Sequence, residues 1–120
     1  MEYLMLIYAD ESKAPNCEDE SEKEIYDTIL SEYMAFTKDV QEKGVMLGAN
    51  PLESVSTATT VRVRNEKIET TDGPFAETKE QLAGYYLMDC KDLDEALAYA
   101  AKIPGAKYGS IEVRPIKKFE

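Results

Sequence analysis

A chain of 120 residues with 43% hydrophobic and 32% charged residues has the size and composition of one globular domain, residues 1–120, able to bury a core without staples and too short for two. Twenty-four Asp and Glu against 14 Lys and Arg leave a net charge of -10, which repels polyanions and argues against nucleic acid as a direct partner. The N-terminus has no basic segment and reaches Asp10 and Glu11 before a signal-peptide core is complete, and no apolar run approaches the roughly 20 residues of a membrane span; the expectation is a cytoplasmic protein without a membrane partner.

Tyr3 to Ala9 is too short for a helix and reads as a strand. Both of its alternating sets are apolar, Tyr3, Met5 and Ile7 on one side and Leu4, Leu6 and Tyr8 on the other, so both faces are expected to be covered. Asp10 to Asp19 is polar and reads as a loop. Ser21 with Glu24 forms a capping-box pattern ahead of Ile25, Ile29, Tyr33, Phe36 and Val40 at helical spacing, which predicts a helix from about Glu22 to Lys43 stopped by Gly44. Tyr26, Leu30, Met34 and Thr37 widen its apolar stripe.

Val45 to Leu47 reads as a short strand and Gly48 to Ser56, with Asn50-Pro51, as an irregular link. Thr57 to Val63 is rich in β-branched residues and, through Asn65-Glu66, joins Lys67 to Thr71 as a small hairpin inserted beside the main sheet. After Asp72-Gly73-Pro74-Phe75, the polar run Ala76 to Gln81 suits a short helical turn. Leu82 to Met88 is a strand with no polar face. Asp92 caps a second helix, with Glu95 at the box position and Leu93, Ala96, Leu97, Ala100 and Ala101 as its packed stripe, ended by Pro104-Gly105. The last strand, Ser110 to Pro115, turns Ile111 and Val113 inward and Glu112 and Arg114 to the opposite face.

Strand, helix, strand, hairpin, strand, helix, strand is the order of an α+β, ferredoxin-like split βαβ with an inserted β-hairpin. Its helices cover one face only. The oily second face predicts a homodimer in which a second copy covers it, since each large apolar side chain is worth about 1.5–3 kcal/mol buried.

Site chemistry is constrained by what the chain lacks. There is no histidine, which removes a Ser-His triad, an ordinary zinc or haem ligand array and the easiest proton carrier near neutral pH. No phosphate-cradling glycine loop is present, and Cys17 and Cys90 read as reduced thiols. No cofactor and no metal are expected. The remaining candidates are carboxylates, tyrosines and an arginine. Asp72 sits on a turn that Gly73 and Pro74 stiffen, where it would exchange a proton only with a pKa raised from about 4 towards neutrality. Glu112 and Arg114, two apart on one strand, share a side: Glu112 is a candidate catalytic partner for Asp72 and Arg114 a candidate anchor for a small polar or anionic metabolite. Tyr8, Tyr85, Tyr86 and Phe75 are candidate walls of a ligand cavity. Each also has a purely structural reading, Phe75 as a plug in the core and Glu112 with Arg114 as a buried pair.

Nearly the whole chain resembles the DGPF or YCII-related family. The residues that carry this are Tyr3 to Tyr8, Ala58-Thr59-Thr60-Val61-Arg62, the run Thr71-Asp72-Gly73-Pro74-Phe75-Ala76-Glu77-Thr78-Lys79-Glu80, Gly84-Tyr85-Tyr86, Asp94-Glu95-Ala96 and Glu112-Val113-Arg114-Pro115. The resemblance implies a ferredoxin-like domain forming a dimeric α+β barrel, bacterial and cytosolic, with a cleft whose role is largely undefined. Relatives have been proposed as enzymes, partly from similarity to muconolactone-type isomerases and dehalogenases, and some DGPF-like domains are associated with extracytoplasmic-function sigma factors. Of the histidine and aspartate proposed for the family's site, only the carboxylate has a match here, Asp72. The expected function is small-ligand binding in a cleft near the Asp-Gly-Pro-Phe turn. Whether the domain is an enzyme stays open at this point: a cofactor-independent isomerase or lyase using Asp72 is one alternative, and a structural or interaction module linked to transcriptional regulation is another.

Overall fold

The computed structural model describes residues 1–119. Six strands and two α-helices follow one another as β1 (Glu2–Ala9), α1 (Glu20–Glu42), β2 (Met46–Pro51), β3 (Thr59–Arg64), β4 (Lys67–Asp72), β5 (Gln81–Asp89), α2 (Leu93–Ala100) and β6 (Ser110–Pro115), with single 3₁₀ turns between some of them. Four strands form an antiparallel sheet in the order β2-β5-β1-β6, while β3 and β4 make a separate two-stranded ribbon. That is the ferredoxin-like arrangement with an inserted hairpin, as the element order predicts.

Alternation along β1 and β5 decides where the core lies. Tyr3, Met5 and Ile7 on β1 and Tyr86 and Met88 on β5 are buried beneath Phe36 and Val40 of α1, Ala96 and Ala100 of α2, and Ile103. Ile111 and Val113 of β6, opposite Ile7 and Met5, flank this core, and the register puts Glu112 and Arg114 on the far face beside Leu6 and Leu4. On that far face Leu4, Leu6, Tyr8, Tyr85 and Leu87 are half-buried by one another and carry no helical layer. The molecule is 20 Å thick along its shortest axis, the thickness of one sheet plus one layer of helices. A single chain therefore leaves the second face of β1 and β5 only partly covered.

Local chemistry moved several boundaries from their predicted places. The N-cap of α1 is Asp19, not Ser21: its carboxylate accepts the Ser21 N–H at 2.9 Å and the Ser21 hydroxyl at 2.7 Å. A charged acceptor at the positive end of a helix outcompetes a hydroxyl two residues on, and the same bonds hold the Asp19 carboxyl below its ordinary pKa. At the second helix the Asp92 cap stands as predicted, accepting the Glu95 N–H at 2.9 Å. β2 extends to Pro51, through residues that read as a link. Gly84 on β5 is the reason, because a Cβ there would lie 2.9 Å from the Asn50 carbonyl oxygen, and its absence lets the backbone of β2 close on β5. Pro51 is tolerated because β2 is an edge strand and Pro51 closes it. No helical turn forms in residues 76–80; Gln81 opens β5 instead, and its amide donates to the Thr78 carbonyl at 2.6 Å while accepting the Glu11 N–H at 3.0 Å.

The stripe of α1 is only partly used. Phe36 and Val40 are buried, whereas Ile25, Leu30 and Met34 are exposed. A 23-residue helix is about 35 Å long and an eight-residue strand about 26 Å, so the first turns of α1 overhang the sheet. In α2 the same holds for Leu93 and Leu97, each 48% exposed, while the small Ala96 and Ala100 form the contact. Met88→Ala should cost about 2–5 kcal/mol in urea unfolding because it empties a fully buried site. Met34→Ala, at a position 65% exposed, should change stability by no more than about 0.5 kcal/mol; equal losses would contradict this placement of the core.

Candidate functional site

α1 rises from the β2 edge of the sheet and leaves a cleft of about 580 Å³ between helix and strands. Leu30, Tyr33, Met34, Thr37, Lys38 and Gln41 line it from α1; Ala49, Asn50 and Pro51 from β2; Ala83 to Tyr86 from β5; and Ile7 lies at its base. Part of the strand side is small, Ala49, Ala83 and Gly84, opposite the large side chains of the helix. That asymmetry in volume is what leaves the space open. A larger hollow, about 780 Å³, runs along the outer face of α1 past Glu20, Glu24 and Asp27, but it is shallow and its charged walls are solvated.

Polar groups in the cleft are few. The Tyr86 ring stands edge-on to Phe36, with centroids 5.1 Å apart and planes at 86°, and its hydroxyl is 2.8 Å from the Thr37 hydroxyl. Asn50 donates from Nδ2 to the Tyr85 hydroxyl at 2.9 Å, tying the cleft's β2 end to the open face of the sheet. Burial pushes the phenols of Tyr33 and Tyr86 above their ordinary pKa; the Gly105 backbone offsets part of this for Tyr33, and the Thr37 hydroxyl for Tyr86. Both are neutral hydrogen-bonding groups near pH 7.

Of the residues singled out from sequence, Tyr85 and Tyr86 line this cleft and the others do not. Asp72 ends β4 opposite Thr59, at the open end of the two-stranded ribbon away from its Asn65-Glu66 turn, and is exposed. Gly73 beside it has φ +96°, a conformation that glycine adopts readily, and its N–H is bound by the Ala58 carbonyl at 2.7 Å. Among the described residues no hydrogen bond or ion pair links Asp72 to Glu112 or Arg114. Glu112 and Arg114 pair with each other at 3.6 Å on the open face, with Arg114 71% exposed, so within one chain the pair is not buried. Phe75 is 78% exposed and plugs no core; it follows β4 of the ribbon, which lies outside the four-stranded sheet. Tyr8 is half-buried on the open face. The cleft thus lies away from the Asp-Gly-Pro-Phe turn, none of whose residues lines it.

Sequence reasoning placed Tyr33 and Thr37 in a packing stripe and missed them as a site. The available signal was a threonine hydroxyl four residues after a tyrosine within an otherwise apolar face, since a buried hydroxyl needs a partner. Cys90 is buried and Cys17 exposed, both free, and burial pushes the Cys90 thiol up, away from its reactive thiolate. Among the described residues no cluster of three or more His, Cys, Asp or Glu side chains could hold a metal ion, and no helix is long and apolar enough to cross a membrane.

Residues 1–120 match the model of the YCII-related domain family. An uncharacterised protein of Rhizobium meliloti (strain 1021) is 36% identical over 122 residues, covering 100% of this chain and 95% of the relative. Among solved structures, 5-chloro-2-hydroxyhydroquinone dehydrochlorinase from Burkholderia phenoliruptrix AC1100, in complex with 2,5-dihydroxybenzoquinone, superposes with a TM-score of 0.52. Its identity is 13%, over 98% of this chain and 94% of that one; the likeness is one of fold.

The raised phenols set a pH dependence. Unfolded tyrosines ionise near pH 10, and folded Tyr33 and Tyr86 keep their protons to higher pH. The folded state then binds more protons, so their contribution is complete below about pH 10 and is lost as pH rises through the folded values. Urea midpoints between about pH 8 and 11 should fall, and the double variant Tyr33→Phe, Tyr86→Phe should fall less steeply. Parallel slopes would mean these phenols are not held neutral by burial.

Proposed function

We propose, from the premise that the chain belongs to the YCII-related domain family, that it is a small-ligand-binding domain whose ligand lies in the cleft between α1 and the β2 edge. The observation that carries this reading is the cleft itself: about 580 Å³, apolar along Leu30, Met34, Ala49 and Ala83, with the mutually bonded hydroxyls of Thr37 and Tyr86 and the Gln41 amide among its few polar groups. Volumes of about 300–1,000 Å³, mostly apolar walls and a small number of convergent polar groups are the general form of small-molecule sites. The dehydrochlorinase of like fold is in complex with a small quinone, which supports small-molecule recognition on this scaffold and transfers no residue.

Binding of 2-naphthol, a neutral aromatic alcohol, tests the reading. Calorimetry should show one saturable site, and Met34→Glu, which puts a charge at the mouth without disturbing the core, should lower affinity by about tenfold or more with stability unchanged. Non-saturable binding, or affinity untouched by the substitution, would remove the cleft as the site.

The same reading includes a homodimer closed across the open sheet face. Leu4, Leu6, Tyr8, Tyr85 and Leu87 form a contiguous half-exposed apolar row, and a second copy of that row is a self-complementary cover of the kind two-fold interfaces use. Sedimentation at low micromolar concentration should report a dimer for the native chain and a folded monomer for Leu6→Lys. A compact native monomer would refute this assembly.

A further inference from the structure

The cleft carries a charge pattern that the rest of the surface does not share. The chain has 24 Asp and Glu, yet among the described residues no carboxylate lines the cleft, and Lys38 is the only formally charged residue that does. No carboxylate lies within 4.0 Å of the Lys38 ammonium among the described residues, even though Glu42 stands one turn further along the same helix. Its neighbour Asp39 is committed elsewhere, to Lys43 at 3.0 Å. Lys38 therefore brings an uncompensated positive charge on a flexible four-carbon stem to the rim of an apolar cavity, one helical turn from Met34.

We propose, resting on the assignment of this cleft as the ligand site, that Lys38 makes it selective for small monocarboxylates with an aromatic or branched apolar body. The body lies between Leu30 and Met34 on one side and Ala49 and Ala83 on the other; the carboxylate meets the Lys38 ammonium and the Gln41 amide at the rim. A cation in the same place would lose hydration and find no acid to replace it. The net charge of -10 does not reverse this preference. At physiological ionic strength charges are screened over about 8 Å, so distant carboxylates weigh little against an ammonium in contact.

Three probes of one shape separate the possibilities in calorimetry with the full chain: 1-naphthoate, neutral 1-naphthamide and cationic 1-naphthylmethylamine. The native protein should bind the carboxylate about fivefold more tightly than the amide and the amine most weakly. Lys38→Met should bring the carboxylate down to the amide's affinity, while Lys38→Arg should keep the preference. A carboxylate preference that survives Lys38→Met, or no preference in the native protein while the amide still binds, overturns the role of Lys38 and leaves the cleft standing. Failure of all three probes to bind overturns both the role and the cleft.

Discussion

The structure depends on one buried stripe, the side chains of β1 and β5 that point under the helices. Tyr3, Met5, Ile7, Tyr86 and Met88 meet Phe36, Val40, Ala96, Ala100 and Ile103 there, and each large member contributes about 1.5–3 kcal/mol by leaving water. Tyr86 belongs to this core and to the cleft at once. Its ring is fixed edge-on by Phe36, and its hydroxyl, carried to the cleft, meets Thr37. The site's polar group is therefore oriented by the same packing that holds the sheet to α1, which is how a small domain keeps a hydroxyl in place without a dedicated supporting network.

The cleft follows from a mismatch of volumes and lengths along α1. Towards the C-terminal half of the helix, Phe36 and Val40 fill the space above β1 and β5. Towards the β2 edge the strands offer the small Ala49, Ala83 and Gly84, and Leu30 and Met34 stay exposed above them. Gly84 has two effects here. It brings β2 within pairing distance of β5, and it leaves the cleft without a side chain at that point. Larger residues at these strand positions would close the space and extend the core, and the apolar stripe of α1 would then be buried along more of its length.

Periodicity made the sheet legible because alternation in β1, β5 and β6 is imposed by burial on one face, and burial is what the sequence encodes. The bounds of β6 came through by that alternation, and the Asp92 cap of α2 because it rests on a hydrogen bond only three residues away. β2 did not, since Gly48, Asn50 and Pro51 locally favour a link and only pairing with the side-chain-free Gly84, more than thirty residues away, makes them a strand. Asp72-Gly73-Pro74-Phe75 was legible as a turn, with Gly73 at positive φ, but a turn's sequence reports its backbone and not its neighbours. Its position at the end of a ribbon outside the main sheet depends on long-range packing. Tyr85 and Tyr86, expected as cavity walls, line the cleft; Thr37, Asn50 and Lys38 were not expected there, because their placement arises from a helix and an edge strand meeting across a gap.

Consecutive tyrosines on β5 point to opposite faces, as a strand requires. Tyr86 faces the helices, Tyr85 the open side of the sheet, and Asn50 on the edge strand holds the Tyr85 hydroxyl while lining the cleft. Asn50 stands opposite Tyr85 in the β2–β5 register, so this hydrogen bond lies on the open face of the same edge strand whose backbone and Ala49 wall the cleft. A partner on the open face would meet Tyr85, Leu6 and Leu87 and, through the Tyr85 hydroxyl, the Asn50 amide on the same face of β2. A second copy on that face would accordingly order one wall of a site that lies on the other side of the sheet, and dimer formation and ligand affinity would be linked through β2 without the partner contributing any atom to the ligand's surroundings.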